Sequence, residues 1–362
     1  MYRIFVINPG STSTKVGLYQ NEKNLVTQNI HHSTSSLATY NSVMEQLDLR
    51  IRVVNNFIEN KQIDLDTLDA IVARGGLLHP IPGGTFVIDH DILDDLRTCR
   101  FGTHASNLGA LIAWHFSQML NKPAYIVDPV VVDELDDVAR ITGHPLLKRK
   151  SVFHALNQKA VARDAAKKIG KSYSSANLIV AHLGGGISIG AHHRGRVIDV
   201  NNALDGDGPF SPERSGTLPA GDVVKLCFSG TFSERELMDC IRGRGGLVAL
   251  LGTNDMKEIR RRIAENGDAK AEMLYKAMAY QIAKYIGSMA AVLHGHVDVI
   301  VLTGGITFDD NFVKLITDFI SFIAPVIVLP GEQEMQALAA GAIRVLRGEE
   351  KVKRYKENLL SI

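Results

Sequence analysis

The stretch Asn8-Pro9-Gly10-Ser11-Thr12-Ser13-Thr14-Lys15 brings together an amide, several hydroxyls and an amine on a tight turn. Such a tip offers backbone N–H groups, the side chains of Asn8, Ser11 and Ser13 and the Lys15 cation to an anion. It could equally satisfy only its own backbone, as Ser/Thr-rich turns commonly do. A second candidate turn is His182-Leu183-Gly184-Gly185-Gly186, whose successive glycines permit close backbone approach to a ligand or simply a tight bend. Arg74 stands where an apolar run gives way to Gly75-Gly76. Arg214 lies in the Gly- and Pro-rich loop from Asn201 to Pro219, where it could grip a carboxylate or phosphate bidentately or serve as a surface cation. His104, His154 and Asp128 are single titratable residues at element edges, and each histidine alone suits a structural hydrogen bond as well as catalysis. Glu332 and Glu334 follow an apolar run, where an acid can hold Mg²⁺ or complement a helix dipole.

Apolar runs with turn signals define the elements that must position these groups. Ile4 to Ile7 and Val16 to Tyr19 read as strands flanking the first turn, and Leu25 to Ile30 completes a meander. Helical spacing covers Leu37 to Asn60 and Asn107 to Leu120. Short buried strands are expected at Asp69–Ala73 and Pro123–Val127, the latter delivering Asp128 at its C-terminal end, where ligands collect in open α/β sheets. The second half repeats the order: Leu178–Ala181 enters the glycine turn, strands follow on either side of Gly195, and Asp298–Val301 leads into Thr303-Gly304-Gly305. Aligning Asn8 with His182 also superposes Gly10 on Gly184 and pairs Asp69 with Asp298, which indicates a duplicated α/β unit. Two such halves are expected to face each other across a cleft. An Ala- and Lys-rich helical stretch from Lys148 to Lys171 would link them, and a helix from Met273 to Leu293 is either an ordinary core helix or a candidate subunit interface.

The chain has 362 residues, which suggests two domains, with 45% hydrophobic and 22% charged residues, as in ordinary globular proteins. A net charge of +1 gives no field to draw nucleic acid or an anionic membrane, so any anion binding must be local. Cys99, Cys227 and Cys240 lack metal-ligand spacing and fit a reducing compartment. With no basic leader and no bilayer-length apolar run, a soluble cytoplasmic protein is expected. Neither a Walker A pattern nor GxGxxG follows the first strand, so phosphate binding would fall to the hairpins.

INPGSTSTK, ARGG, HLGGGISIG, SPERSG and LTGGI, in this order over residues 4 to about 345, together resemble the acetokinase family. That resemblance implies two duplicated actin-like (ribonuclease H-like) α/β domains around a central nucleotide cleft, with domains at 1–150 plus about 338–362 and at 151–337. It implies Mg²⁺-dependent transfer of phosphoryl from ATP to a short-chain carboxylate, giving acyl phosphate and ADP, in a homodimer or higher homo-oligomer. The DGDGPFSPERSG wording and the short chain resemble the branch that acts on butyrate. By the same resemblance Asn8, Ser11, Ser13 and Lys15 contact phosphate, and His182, Gly184, Gly185 and Gly186 surround the nucleotide phosphates. Gly304, Gly305 and Ile306 bind adenosine. Arg74 and Arg214 flank the acyl group and the transferring phosphoryl, His154 stabilises that phosphoryl, and His104 is a further active-site histidine. Asp128 lies near metal and substrate, and Glu334, with Glu332 beside it in sequence, is linked to Mg²⁺. Two departures stand out. Gly185 replaces an asparagine, and Gly76 replaces an apolar side chain, a vacancy expected to accommodate a longer acyl chain.

Overall fold

Two groups of contacts partition the chain, which the computed structural model describes over residues 1–360. Unit 1 is Met1–Asp133 with Gln333–Ile362, and unit 2 is Glu134–Glu332, against boundaries near 150 and 338 expected from sequence. The helix expected to link the halves is Ala155–Lys168, preceded by an irregular Lys148–Phe153, and it lies inside unit 2.

Unit 1 carries β1 (Arg3–Pro9), β2 (Ser13–Gln20), β3 (Lys23–His31), β4 (Ala70–Ala73), β5 (Thr85–Val87) and β6 (Ala124–Val127). They form one sheet in the order β3-β2-β1-β4-β6-β5. Unit 2 carries β7 (Asn177–Leu183), β8 (Ile187–His193), β9 (Arg196–Val200), β10 (Val299–Gly304) and β11 (Val326–Pro330), ordered β11-β10-β7-β8-β9. Reversed, the second order matches β3-β2-β1-β4-β6 strand for strand, with antiparallel hairpins followed by parallel crossovers in both. The duplication is present at the level of single hydrogen bonds. Asp69 accepts the Arg3 amide at 2.7 Å and Asp298 the Asn177 amide at 2.9 Å, so each fixes where its parallel pair begins.

The central strands are apolar throughout because both of their faces are covered. In unit 1, Phe5, Ile7, Ile71 and Ala73 join the core made with helices Leu47–Asn60 and Asn107–Leu120. Helix Glu334–Leu346 covers the other face of β1, β4 and β6. In unit 2, Ile179, Ala181, Ile300 and Leu302 face the helix Ala269–Val292, while Leu178, Val180, Val299 and Val301 face the helix Ala155–Lys168. No helix among the described residues is long and apolar enough to cross a membrane. The expected helix from Leu37 is broken: Thr34–Leu37 is one turn, and the long helix starts only at Leu47. Glu45 accepts the Asn41 amide at 3.0 Å, giving that polar segment a local alternative to helical pairing.

The space beside Gly76 is occupied, which overturns the expected acyl-chain vacancy. A Cβ there would lie 2.5 Å from Asn107 Oδ1, 2.6 Å from Asn107 Cα and 2.8 Å from Leu96 Cδ2. Asn107 is fully buried and accepts the Leu77 amide at 2.8 Å, so the start of helix Asn107–Leu120 is locked against the β4 turn. Gly76→Val should therefore lower stability by about 1–3 kcal/mol, the usual cost of overpacking. Urea unfolding checks this, and a variant as stable as the parent would restore the vacancy.

Candidate active site

In unit 1, three of the singled-out side chains converge. Asn8, next to last in β1, is only 7% exposed and donates from Nδ2 to Glu334 Oε2 at 2.7 Å. Arg74 follows β4, and its Nη1 lies 3.1 Å from Glu334 Oε1 and 3.2 Å from Oε2. Glu334 opens helix Glu334–Leu346, where an acid complements the dipole. Arg74 and Glu334 stay partly exposed, so a ligand can reach both.

The first turn depends on Arg50, which reading the sequence did not single out. Its guanidinium is fully buried and donates to the carbonyls of Ser11 at 3.2 Å and Ser13 at 2.7 Å, and to Thr14 Oγ1 at 2.9 Å. Gly10 N also donates to Ser13 O at 2.8 Å. Burial pushes the Arg50 pKa down. The signal was present: Arg50 interrupts the apolar stripe of its helix, where a solvated cation has no place. Among the described residues, the side chains of Ser11, Ser13 and Lys15 make no bond to the Asn8–Arg74–Glu334 group. Ser11 is exposed, and Ser13 and Lys15 are half-buried, so the turn presents them outward.

His104 Nδ1 accepts the Ser106 amide at 3.1 Å and lies 2.8 Å from Ser106 Oγ. An acceptor at Nδ1 places the neutral ring's proton on Nε2. Lost solvation, and then the positive charge of Arg74, push the His104 pKa down. Asp128, 1% exposed, takes φ 38°, an uncommon backbone for a non-glycine residue, and its Oδ1 accepts the Gly84 amide at 2.7 Å. It thus closes the end of β6 rather than standing as a solvated acid.

In unit 2 the glycine turn is surrounded. His182 is 1% exposed, with Nδ1 2.8 Å from Asn157 Oδ1 and Nε2 3.1 Å from Glu332 Oε1, an ion-pair distance without hydrogen-bond alignment. The His154 ring stacks on it with centroids 3.8 Å apart and planes at 12°, while His154 Nδ1 lies 2.9 Å from Ser188 Oγ. Ser211 Oγ donates to Gly185 O at 2.5 Å and accepts the Arg214 amide at 3.0 Å, pinning the long loop to the turn. The Arg214 guanidinium fills the place a Gly186 side chain would take and donates to Ala203 O. Burial pushes its pKa down, opposed by Glu213 and Asp205. Glu213 likewise sits over Gly185, with its carboxyl carbon 3.1 Å from where a Cβ would be. A side chain at 185 would therefore meet the Glu213 carboxylate, a contact that long-range folding alone reveals.

At the end of β10, Gly304 exchanges backbone hydrogen bonds with Gly331 at 3.2 and 3.1 Å, and Thr307 Oγ1 donates to Gly304 O at 2.7 Å. Gly305 is exposed and Ile306 buried, with Phe308, 72% exposed, beside Gly331. This turn occupies in unit 2 the place that Arg74 and its glycines occupy in unit 1.

Among the described residues no group of three or more His, Cys, Asp or Glu side chains is arranged to hold a metal. A Mg²⁺ that arrives with phosphates needs only one or two protein carboxylates. Glu334 fits that demand, since a carboxylate has about four acceptor positions and Asn8 and Arg74 engage only part of them.

Residues 138–326 match the model of the acetokinase family. A protein named probable butyrate kinase from Clostridium botulinum is 53% identical over 354 residues, covering 98% of this chain and 99% of that one. Butyrate kinase 1 of Clostridium acetobutylicum is 51% identical over 356 residues, covering 98% and 100%. The crystal structure of Porphyromonas gingivalis acetate kinase superposes with TM-score 0.76 at 19% identity, covering 96% of this chain and all of that one, and so shares the actin-like α/β fold. With duplicated sheets, both glycine turns and relatives matched from end to end, the chain belongs to the acetokinase family.

Proposed function

We propose that this chain is a butyrate kinase, transferring the γ-phosphoryl group of ATP reversibly to butyrate or a similar short or branched carboxylate. The observation that carries this reading is identity above one half, over nearly the whole chain, with proteins named butyrate kinase. The geometry supports it, because cations and hydrogen-bond donors are concentrated around turns rich in backbone N–H groups.

A carboxylate is already a nucleophile at neutral pH, so the protein has mainly to bring two anions together and stabilise charge on the moving phosphoryl. In the proposed step a carboxylate oxygen attacks the γ-phosphorus as the bond to the β–γ bridging oxygen breaks, leaving acyl phosphate and ADP. Arg74 and Arg214 hold the acid and the transferring group, and His154 donates a hydrogen bond to that group. Asn8, Ser11, Ser13, Lys15 and His104 position phosphate and acid, and Asp128 fixes the end of β6 near them. His182, Gly184, Gly185 and Gly186 cradle the nucleotide phosphates, with Gly304, Gly305 and Ile306 against the adenosine. Mg²⁺, held through Glu334 and with Glu332 as the second candidate, would neutralise charge on the phosphate oxygens. The same reading makes the protein a cytoplasmic homo-oligomer. Helix Ala269–Val292 leaves Met273 and Tyr280 exposed for such contact.

Acyl phosphate trapped as hydroxamate across C2 to C6 acids tests the substrate. Butyrate or isobutyrate should show the highest kcat/KM; a higher value for acetate would make this an acetate kinase, and nucleotide binding without any acyl phosphate would make it a non-catalytic relative. Arg214→Ala should lower kcat on the order of 10²–10³-fold, the scale of a single lost electrostatic stabiliser, with KM for ATP much less changed. Comparable turnover in that variant would remove Arg214 from the mechanism.

A further inference from the structure

Behind His154 runs a continuous polar chain through the interior of unit 2. Ser188 Oγ lies 2.9 Å from His154 Nδ1, and Gln158 Nε2 donates to Ser188 Oγ at 2.8 Å and to Ser188 O at 3.0 Å. Gln158 Oε1 meets His192 Nε2 at 3.0 Å, and His192 Nδ1 meets the Tyr173 hydroxyl at 2.9 Å. Gln158, Ser188 and His192 are fully buried. Gly190 makes room for the chain, since a Cβ there would lie 2.7 Å from Gln158 Oε1.

The direction of every proton follows from one acceptor. The Ser188 carbonyl can only accept, so the Gln158 amide must face it with its nitrogen and turn its oxygen to His192. His192 therefore carries its proton on Nε2, and Nδ1 accepts from Tyr173. Ser188 Oγ accepts from Gln158 and, at 3.5 Å, from the His154 amide, which fills both of its lone pairs. Its own proton is then directed to His154 Nδ1, and the His154 ring proton falls on Nε2. Burial, followed by the charges of Lys159 and Arg163, keeps His192 neutral in agreement with this chain.

We propose that Tyr173, His192, Gln158 and Ser188 are positioning residues that hold His154 as a neutral, Nε2-protonated hydrogen-bond donor. The proposal rests on the reading of His154 as the donor to the transferring phosphoryl. A donor fixed in tautomer and orientation before the substrate arrives needs no reorganisation during the reaction, which is where such groups gain their effect. The serine hydroxyl orients the His154 ring as a carboxylate does in many His-containing sites, but by donating to Nδ1 it selects the opposite tautomer, with the proton on Nε2, and adds no negative charge beside an anionic reaction.

The test uses the full chain labelled with ¹⁵N-histidine, without ATP or acid, at neutral pH. Long-range ¹H–¹⁵N correlation should show His154 and His192 as neutral rings protonated on Nε2. Ser188→Ala should mix the His154 tautomers and lower kcat on the order of 10- to 100-fold, the scale of a misplaced group, with KM for ATP little changed; Gln158→Met should do the same. A parent His154 protonated on Nδ1, or as imidazolium, overturns the proposal even if both variants fail to fold. So does a Ser188→Ala enzyme with the parent's tautomer and kcat. Because the spectrum is read without substrates, a parent that makes no acyl phosphate would overturn the kinase reading separately from the tautomer assignment.

Discussion

A polar group at the end of a buried strand has to be paired, and both halves of this molecule are organised around that demand. β1 and β7 are each 7 residues long, apolar on both faces along their middle, and place a buried polar side chain at the sixth position, Asn8 and His182. Each is nearly inaccessible to solvent. Asn8 is answered by Glu334, and His182 by Asn157, with Glu332 at ion-pair distance. These two acids bracket the point where the chain passes from unit 2 back to unit 1. Their spacing in sequence thus lets one short segment serve the corresponding position of each unit.

The same pairing explains why charge rather than covalent chemistry suits the reaction. Glu334 is engaged by Arg74 and Asn8, and Asp128 by the Gly84 amide, so these carboxylates serve as fixed acceptors that set the aim of cations and turns. Arg50 and Arg214 show the complementary device. Both guanidinium groups are largely withdrawn from solvent and bonded to backbone carbonyls, so they shape a turn or loop as much as they supply charge. Such a scaffold costs little reorganisation when an anion binds, which is the condition for electrostatic stabilisation of a phosphoryl in transit.

Much of this was legible in the sequence, for identifiable reasons. Strands apolar on both faces bounded by glycine turns located β1, β4, β7 and β10, and the recurrence of Asp69 at Asp298 exposed the duplication because one short-range bond is made twice. What stayed hidden depends on contacts distant in sequence. Glu134 belongs to unit 2 because it pairs with buried Lys159 at 2.8 Å and accepts the Val197 amide at 2.8 Å, neither of which leaves a local pattern. The polar chain behind His154 joins the helix Ala155–Lys168, the single strand β8 and the short turn Tyr173–Ser175, and its members look like ordinary polar residues until they are folded together. Gly76 misled in the opposite direction, since an absent side chain reads as space although Asn107 fills it.

If positioned charge is the whole of the protein's chemistry, phosphoryl passes from ATP to the acid in one in-line step. The most direct test is the stereochemical course at phosphorus, followed with ATP made chiral at the γ-position by oxygen isotopes. Direct transfer predicts an acyl phosphate of inverted configuration. Net retention would mean that a protein side chain carries the phosphoryl group covalently on the way, and would contradict the account.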